Sequence, residues 1–149
     1  MTRDYTREGV TTMSATDGSV KSEAAEGTSR RARAQGAKAD QLQAKLASLD
    51  PGLADMADEF IFGRIWGRPG LDQDDRMLVA ITALAATGKE AQLRNYLWGA
   101  IQTGMSARRI HEALVMMVVY AGFPTGVAAL DCWKGVVDSA LQQGLELDL

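Results

Sequence analysis

From Asp50 onward the chain alternates helix starts with helix stops, and this punctuation constrains the fold more than any other feature. Asp50-Pro51 reads as an N-cap followed by proline at the first helical position. Arg68-Pro69-Gly70 reads as a turn, and Asp72 caps a further helix with Asp74 and Asp75 in its first turn. Gly88 and Gly104 end helices, Ser106 caps the next, Gly122-Phe123-Pro124 breaks it, and Gly144 ends the last. Between these marks the apolar residues recur at helical spacing, as in Leu93, Tyr96, Leu97, Ala100 and Ile101. No segment sustains alternation of period two, so the expected fold is all-α.

The punctuation divides the chain into six helices. The first is expected over about 24–49, interrupted at Gly27 or Gly36. Others run from Asp50-Pro51 to about Trp66-Gly67, from the Asp72 cap to Gly88, from Lys89 to Gln102, from the Ser106 cap through Ala121 to the Gly122-Phe123-Pro124 break, and from about Thr125 to Gln143. The stretch Met77–Ala86 is apolar on nearly every side and should be central, and the helix over Ile110–Ala121 should be buried in the subunit or in an oligomer. Residues 1–22 are polar, broken by Gly9 and Gly18, and are expected to form a disordered tail ahead of one helical domain over 23–149. Arg30, Arg31 and Arg33 read as a solvated basic face.

Composition removes several function classes. A formal net charge of −3 in 149 residues gives no reason to expect nucleic acid or an anionic membrane as partner. The longest apolar run, Ala113–Phe123, is too short to span a bilayer, and the cytoplasm is the expected location. One cysteine, Cys132, allows no intramolecular disulfide, and one histidine, His111, allows no His-rich metal site within the chain. Neither a metal nor a cofactor is expected.

Several local features occur in a fixed order. Phe60-Ile61-Phe62-Gly63 precedes Trp66-Gly67-Arg68-Pro69-Gly70-Leu71; Arg76 and Leu78 open a helix ending at Gly88; Leu93 and Gly99-Ala100 precede Gly104; and Ile110, Glu112, Leu114 and Tyr120-Ala121-Gly122-Phe123-Pro124 follow. Over roughly 49–137 this order resembles the carboxymuconolactone decarboxylase family. The resemblance implies a six-helix bundle of the alkylhydroperoxidase D-like type, a ring-shaped homo-oligomer (trimer or hexamer), and pockets near subunit interfaces. It also implies a cofactor-independent lyase or isomerase with decarboxylase-like chemistry.

The departures from the family pattern shape the expected chemistry. In the alkylhydroperoxidase D-like relatives a Glu relays protons to a Cys-x-x-Cys pair and a His. The matching positions here are Met77, Lys89, Gln92 and Tyr96. Without a thiol pair, thiol-peroxidase chemistry is excluded. The decarboxylases keep the Glu and His as acid-base groups, and here Met77 and Tyr96 replace them.

Decarboxylation needs a site for the carboxylate, a donor for the developing enolate oxygen and an acid to protonate carbon. Tyr96 can serve as donor and acid, or can be a core tyrosine with a satisfied hydroxyl. Tyr120 and Arg68 are further catalytic candidates; the alternatives are packing for Tyr120 and a turn or intersubunit salt bridge for Arg68. Phe60, Trp66, Arg76, Met77 and Met116 are candidate substrate-binding residues, and each can equally be core or, for Arg76, an ion-pair partner. An apolar Met in place of Glu suits an apolar carboxylated, lactone-like or polyketide-like substrate of secondary metabolism. The competing expectation is a non-catalytic small-molecule binder or oligomeric scaffold.

Overall fold

The computed structural model of the chain describes residues 15–149, and every described element is helical. Helix α1 spans Ala15–Gln35, a single 3₁₀ turn follows over Gly36–Lys38, and α2 spans Ala39–Leu49. Helix α3 spans Pro51–Met56 and continues without a break as a π-helix over Ala57–Ile65. Helices α4 (Gln73–Ala86), α5 (Glu90–Gln102), α6 (Ala107–Tyr120) and α7 (Phe123–Gln142) complete the chain. None of these helices is long and apolar enough to cross a membrane.

The caps read from the sequence are in place. Asp50 Oδ1 accepts from the Gly52 amide at 2.7 Å, Asp72 Oδ1 from Asp75 at 2.8 Å, and Ser106 Oγ from Arg109 at 3.2 Å. Each satisfies an amide that the helix start leaves unbonded. The interruption expected in the first long helix falls at Gly36, where φ is +59°; Gly27 stays helical. Helix α1 begins at Ala15, so residues 15–22, expected within a disordered tail, are helical. The remainder of that expected tail, residues 1–14, lies outside the described residues.

The core is built from one face of each of the last four helices. Met77 and Ile81 on α4, Leu97 on α5, Ile110 and Leu114 on α6 and Val136 on α7 are its largest fully buried side chains. Burial of each contributes roughly 1.5–3 kcal/mol. Helices α4 and α6 are nevertheless not enclosed on all sides: Val79 and Val119 are 59% and 73% exposed. The apolar surplus expected to place both helices centrally lies on the surface of the single chain instead.

Helix α1 joins this core through close backbone approach rather than large side chains. Its inward face carries Gly27, Arg31 and Ala34, spaced four and three residues apart. A Cβ on Gly99 of α5 would stand 2.0 Å from the Ala34 carbonyl oxygen, so only glycine allows the two helices to meet there. Gly99→Ala is expected to lower stability by about 1–3 kcal/mol or more, as overpacking against backbone does, with denaturant unfolding as the measurement.

Arg31 corrects the expectation of a solvated basic face, since it is 3% exposed. Its Nε donates to Asp58 Oδ1 and its Nη1 to the Ala39 carbonyl, both at 2.6 Å. Gln43 Nε2 donates to the other carboxylate oxygen of Asp58 at 3.0 Å, and the Thr28 hydroxyl reaches it at 3.2 Å. Arg30 also turns inward, donating to the Phe62 and Gly63 carbonyls at 3.3 and 3.1 Å. Those carbonyls end the π-helix and lack helical partners. Arginines of α1 thus satisfy the polar groups of the segment they pack against.

The π-helix also decides which aromatic residue faces inward. With bonds from residue i to i+5, as in Trp66 N to Ile61 O at 2.9 Å, the turn is wider than in an α-helix. Ala57 and Phe62, five apart, are buried, while Met56, Phe60 and Ile61 are exposed.

Candidate functional site

Tyr96 projects from the middle of α5, and the structure places it with two of the other expected residues. The Phe62 and Trp66 rings lie 5.2 Å apart, and the Trp66 and Tyr96 rings 6.2 Å apart, each pair tilted by about 50°. Such offset geometry is favourable between aromatic quadrupoles. Met77, 1% exposed, belongs to the same hydrophobic core, against which Trp66 and Tyr96 are partly buried. Burial pushes the Tyr96 phenol above its ordinary pKa, and a side-chain hydrogen bond with Gln35 opposes part of that rise. Tyr96 is therefore neutral at physiological pH and carries a proton it can donate.

The remaining expected residues lie elsewhere. Tyr120, the last residue of α6, is 81% exposed, and Met116 and Phe60 are exposed as well. Arg68 is exposed in the turn after α3. The Arg76 guanidinium donates to the carbonyls of Ile65 and Arg68, so it closes the end of the π-helix and the following turn. Arg109 pairs with Asp75. His111 is exposed, and Lys89 sits exposed ahead of α5. Cys132 is buried in the core, where burial raises its thiol pKa and Arg94 opposes the rise; a buried thiol of raised pKa packs as a small hydrophobe.

The expected site residues are not among the walls of the two cavities that flank α5. A cavity of about 520 Å³ opens between the end of α4 and the start of α7, with Leu84, Lys89, Leu93 and Pro124 among its walls. Leu93 brings it to within about one helical turn of Tyr96 along α5. A second cavity of about 350 Å³ is bordered by Gln35, Trp98, Gln102 and Gln143. Gln35 thus borders a solvent-facing cleft.

Gln35 was not among the residues singled out from the sequence. The available signal was the small-residue face of α1, with Gly27 and Ala34 at helical spacing, which marks a contact surface where large apolar residues are lacking.

The sequence model of the carboxymuconolactone decarboxylase family matches residues 51–145. The 4-carboxymuconolactone decarboxylase of Acinetobacter baylyi is 37% identical over 71 residues, covering 48% of this chain and 53% of that protein. The nitrosuccinic acid decarboxylase of Metarhizium robertsii is 27% identical over 90 residues, covering 60% and 63%. An uncharacterized 15.0 kDa protein of Paracoccus denitrificans is 35% identical over 85 residues, covering 56% and 63%. The matches thus span between 53% and 63% of these relatives' lengths.

Proposed function

The chain belongs to the carboxymuconolactone decarboxylase family, and from that premise we propose that it is a cofactor-independent decarboxylase-like lyase acting on an apolar carboxylated small molecule, lactone-like or polyketide-like. The observation that carries this reading is Tyr96. At the position of the family's histidine stands a neutral, half-buried phenol, flanked by Trp66. Two relatives whose names state a decarboxylase activity support it.

In the proposed reaction the bond between the carboxylate carbon and its neighbour breaks and CO₂ leaves. The electron pair passes into an enolate whose oxygen accepts a hydrogen bond from Tyr96. Proton transfer from the phenol to carbon then completes the exchange, and solvent restores the phenol. Met77 and Trp66 supply apolar surroundings, which strengthen the hydrogen bond to the developing charge. The test is CO₂ release by the purified protein from a panel of lactone carboxylates and aromatic β-keto acids. Turnover of one of them supports the reading, and an inert panel counts against it.

A second reading, a non-catalytic binder or scaffold, draws on two observations. Arg76 spends its guanidinium on backbone carbonyls, and Tyr120 is 81% exposed. Under either reading the protein is expected to assemble. Val115, Met116, Val119, Tyr120, Phe123 and Val127 are all exposed on α6 and α7, an apolar surface that a soluble monomer seldom carries. Sedimentation at micromolar concentration should give a trimer or hexamer, and a monomeric mass would refute the assembly.

A further inference from the structure

Trp66 follows the last residue of the π-helix and stands beside Phe62 and Tyr96, nine residues after the buried Ala57 that opens that helix. At 3.6 residues per turn, nine residues make about two and a half turns. An α-helix over this segment would carry Trp66 to the side opposite Ala57 and bring Ile61 inward. In the structure Ile61 and Ile65 are exposed, and Trp66 reaches Tyr96 because the π turns are wider. The register of the helix therefore decides where the indole stands.

A π register is rare and needs a local cause, and Arg30 supplies one. In an α-helix the Trp66 amide would bond to the Phe62 carbonyl and the Gly67 amide to the Gly63 carbonyl, each four residues back. Those are the two carbonyls that accept from Arg30 Nη1, at 3.3 and 3.1 Å. The Trp66 amide donates instead to the Ile61 carbonyl, five residues back, at 2.9 Å. A charged donor binds a carbonyl more strongly than a neutral amide does. Arg30 thus favours the wider turn by engaging the acceptors that the narrower one would use.

The place the guanidinium occupies is shaped to admit it. A Cβ on Gly67 would stand 2.9 Å from Arg30 Nη1 and 2.4 Å from the Gly63 carbonyl oxygen, so a larger residue there would displace the guanidinium or the backbone. Glu26 accepts from Arg30 Nη2 at 2.7 Å and steadies it one helical turn away. On the far side of Trp66, Arg76 donates to the Ile65 and Arg68 carbonyls. Guanidinium groups from α1 and α4 therefore hold the backbone on both sides of the indole. We propose that Arg30 is a positioning residue for the candidate site: it locks the π register and so holds Trp66 against Tyr96. Its bearing on turnover rests on the reading of Tyr96 given under Proposed function. Arg30 lies outside residues 51–145, the part of the chain that matches the family.

The test uses the full chain with Arg30→Met, which keeps an apolar stem and removes the guanidinium. Fluorescence of Trp66 is isolated by subtracting the spectrum of Trp66→Phe, which retains Trp98 and Trp133, and the same subtraction is made in the Arg30→Met background. Release of the register should turn the indole toward water, moving this component to longer wavelength and making it more open to acrylamide quenching. It should also lower kcat/KM for the best panel substrate by roughly ten- to a hundredfold, the scale of a misplaced site. A merely structural Arg30 would lower the melting temperature and leave the Trp66 component unmoved, and that result overturns the inference. So does wild-type turnover in Arg30→Met when Tyr96→Phe is inactive. A fully active Tyr96→Phe, or an inert panel, counts against the proposed function instead; the Trp66 component then decides the register lock alone, a shift supporting it and no shift refuting it. If Arg30→Met fails to fold, Arg30→Gln, whose carboxamide is too short to reach both carbonyls, is expected to show the same shift, and its absence there is equally decisive.

Discussion

Tyr96→Phe is expected to lower turnover about 10²- to 10³-fold, the effect of removing one donor aimed at a developing oxyanion. The substitution keeps the ring, so the packing against Trp66 survives. What disappears is the hydroxyl alone, and the neutral hydrogen bonding of such a group contributes about 1 kcal/mol to stability. The two effects differ in kind, and measuring turnover beside melting temperature separates them. Near-normal turnover with a lowered melting temperature would make Tyr96 a core residue and favour the binder or scaffold reading.

The largest stability effect is expected at the opposite end of the α1 contact. Asp58→Ala should destabilise the protein by about 3–5 kcal/mol, because it leaves the buried Arg31 guanidinium without its counter-charge. That is a large share of the 5–15 kcal/mol that typically separates a folded domain from its unfolded chain. The carboxylate also serves Gln43 and Thr28, so three donors lose a partner together. Replacing both charges with apolar residues, as in Arg31→Met with Asp58→Leu, should recover much of the loss, since no buried charge then remains. Denaturant unfolding of the two single variants and the double at one protein concentration measures this. Equal losses in all three would show that the pair contributes through shape and not through charge.

How far the sequence predicts the molecule depends on which residues carried the information. Helix ends were readable because their causes are local. A side-chain oxygen at Asp50, Asp72 or Ser106 satisfies an amide two or three residues away, wherever the helix packs. Arg31 was not readable, since its burial depends on Asp58, 27 positions later. Which of Phe60 and Phe62 faces the core was not readable, because the backbone there follows a spacing of five, and it is Phe62 that is buried. Nothing in the composition of that segment announces the wider turn. At the candidate site, Tyr96 and Met77 could be placed from the family pattern, and their burial follows from the apolar stripes of α4 and α5. Gln35 could not be placed, because an Ala-rich helix with scattered charges gives no sign of which polar residue faces inward.

The seam between α1 and the rest of the chain bears on how this protein can be dissected. A fragment cut to the boundaries 51–145 would keep every residue that aligns with the family and would still be incomplete. Asp58 would face water without Arg31, the carbonyls of Phe62 and Gly63 would lose Arg30, and Gly99 would adjoin an empty groove. Homology marks out one stretch of sequence and cooperative folding marks out a longer one. Chimeras with relatives should therefore exchange α1 together with the π-helix and α5, whose surfaces it fits.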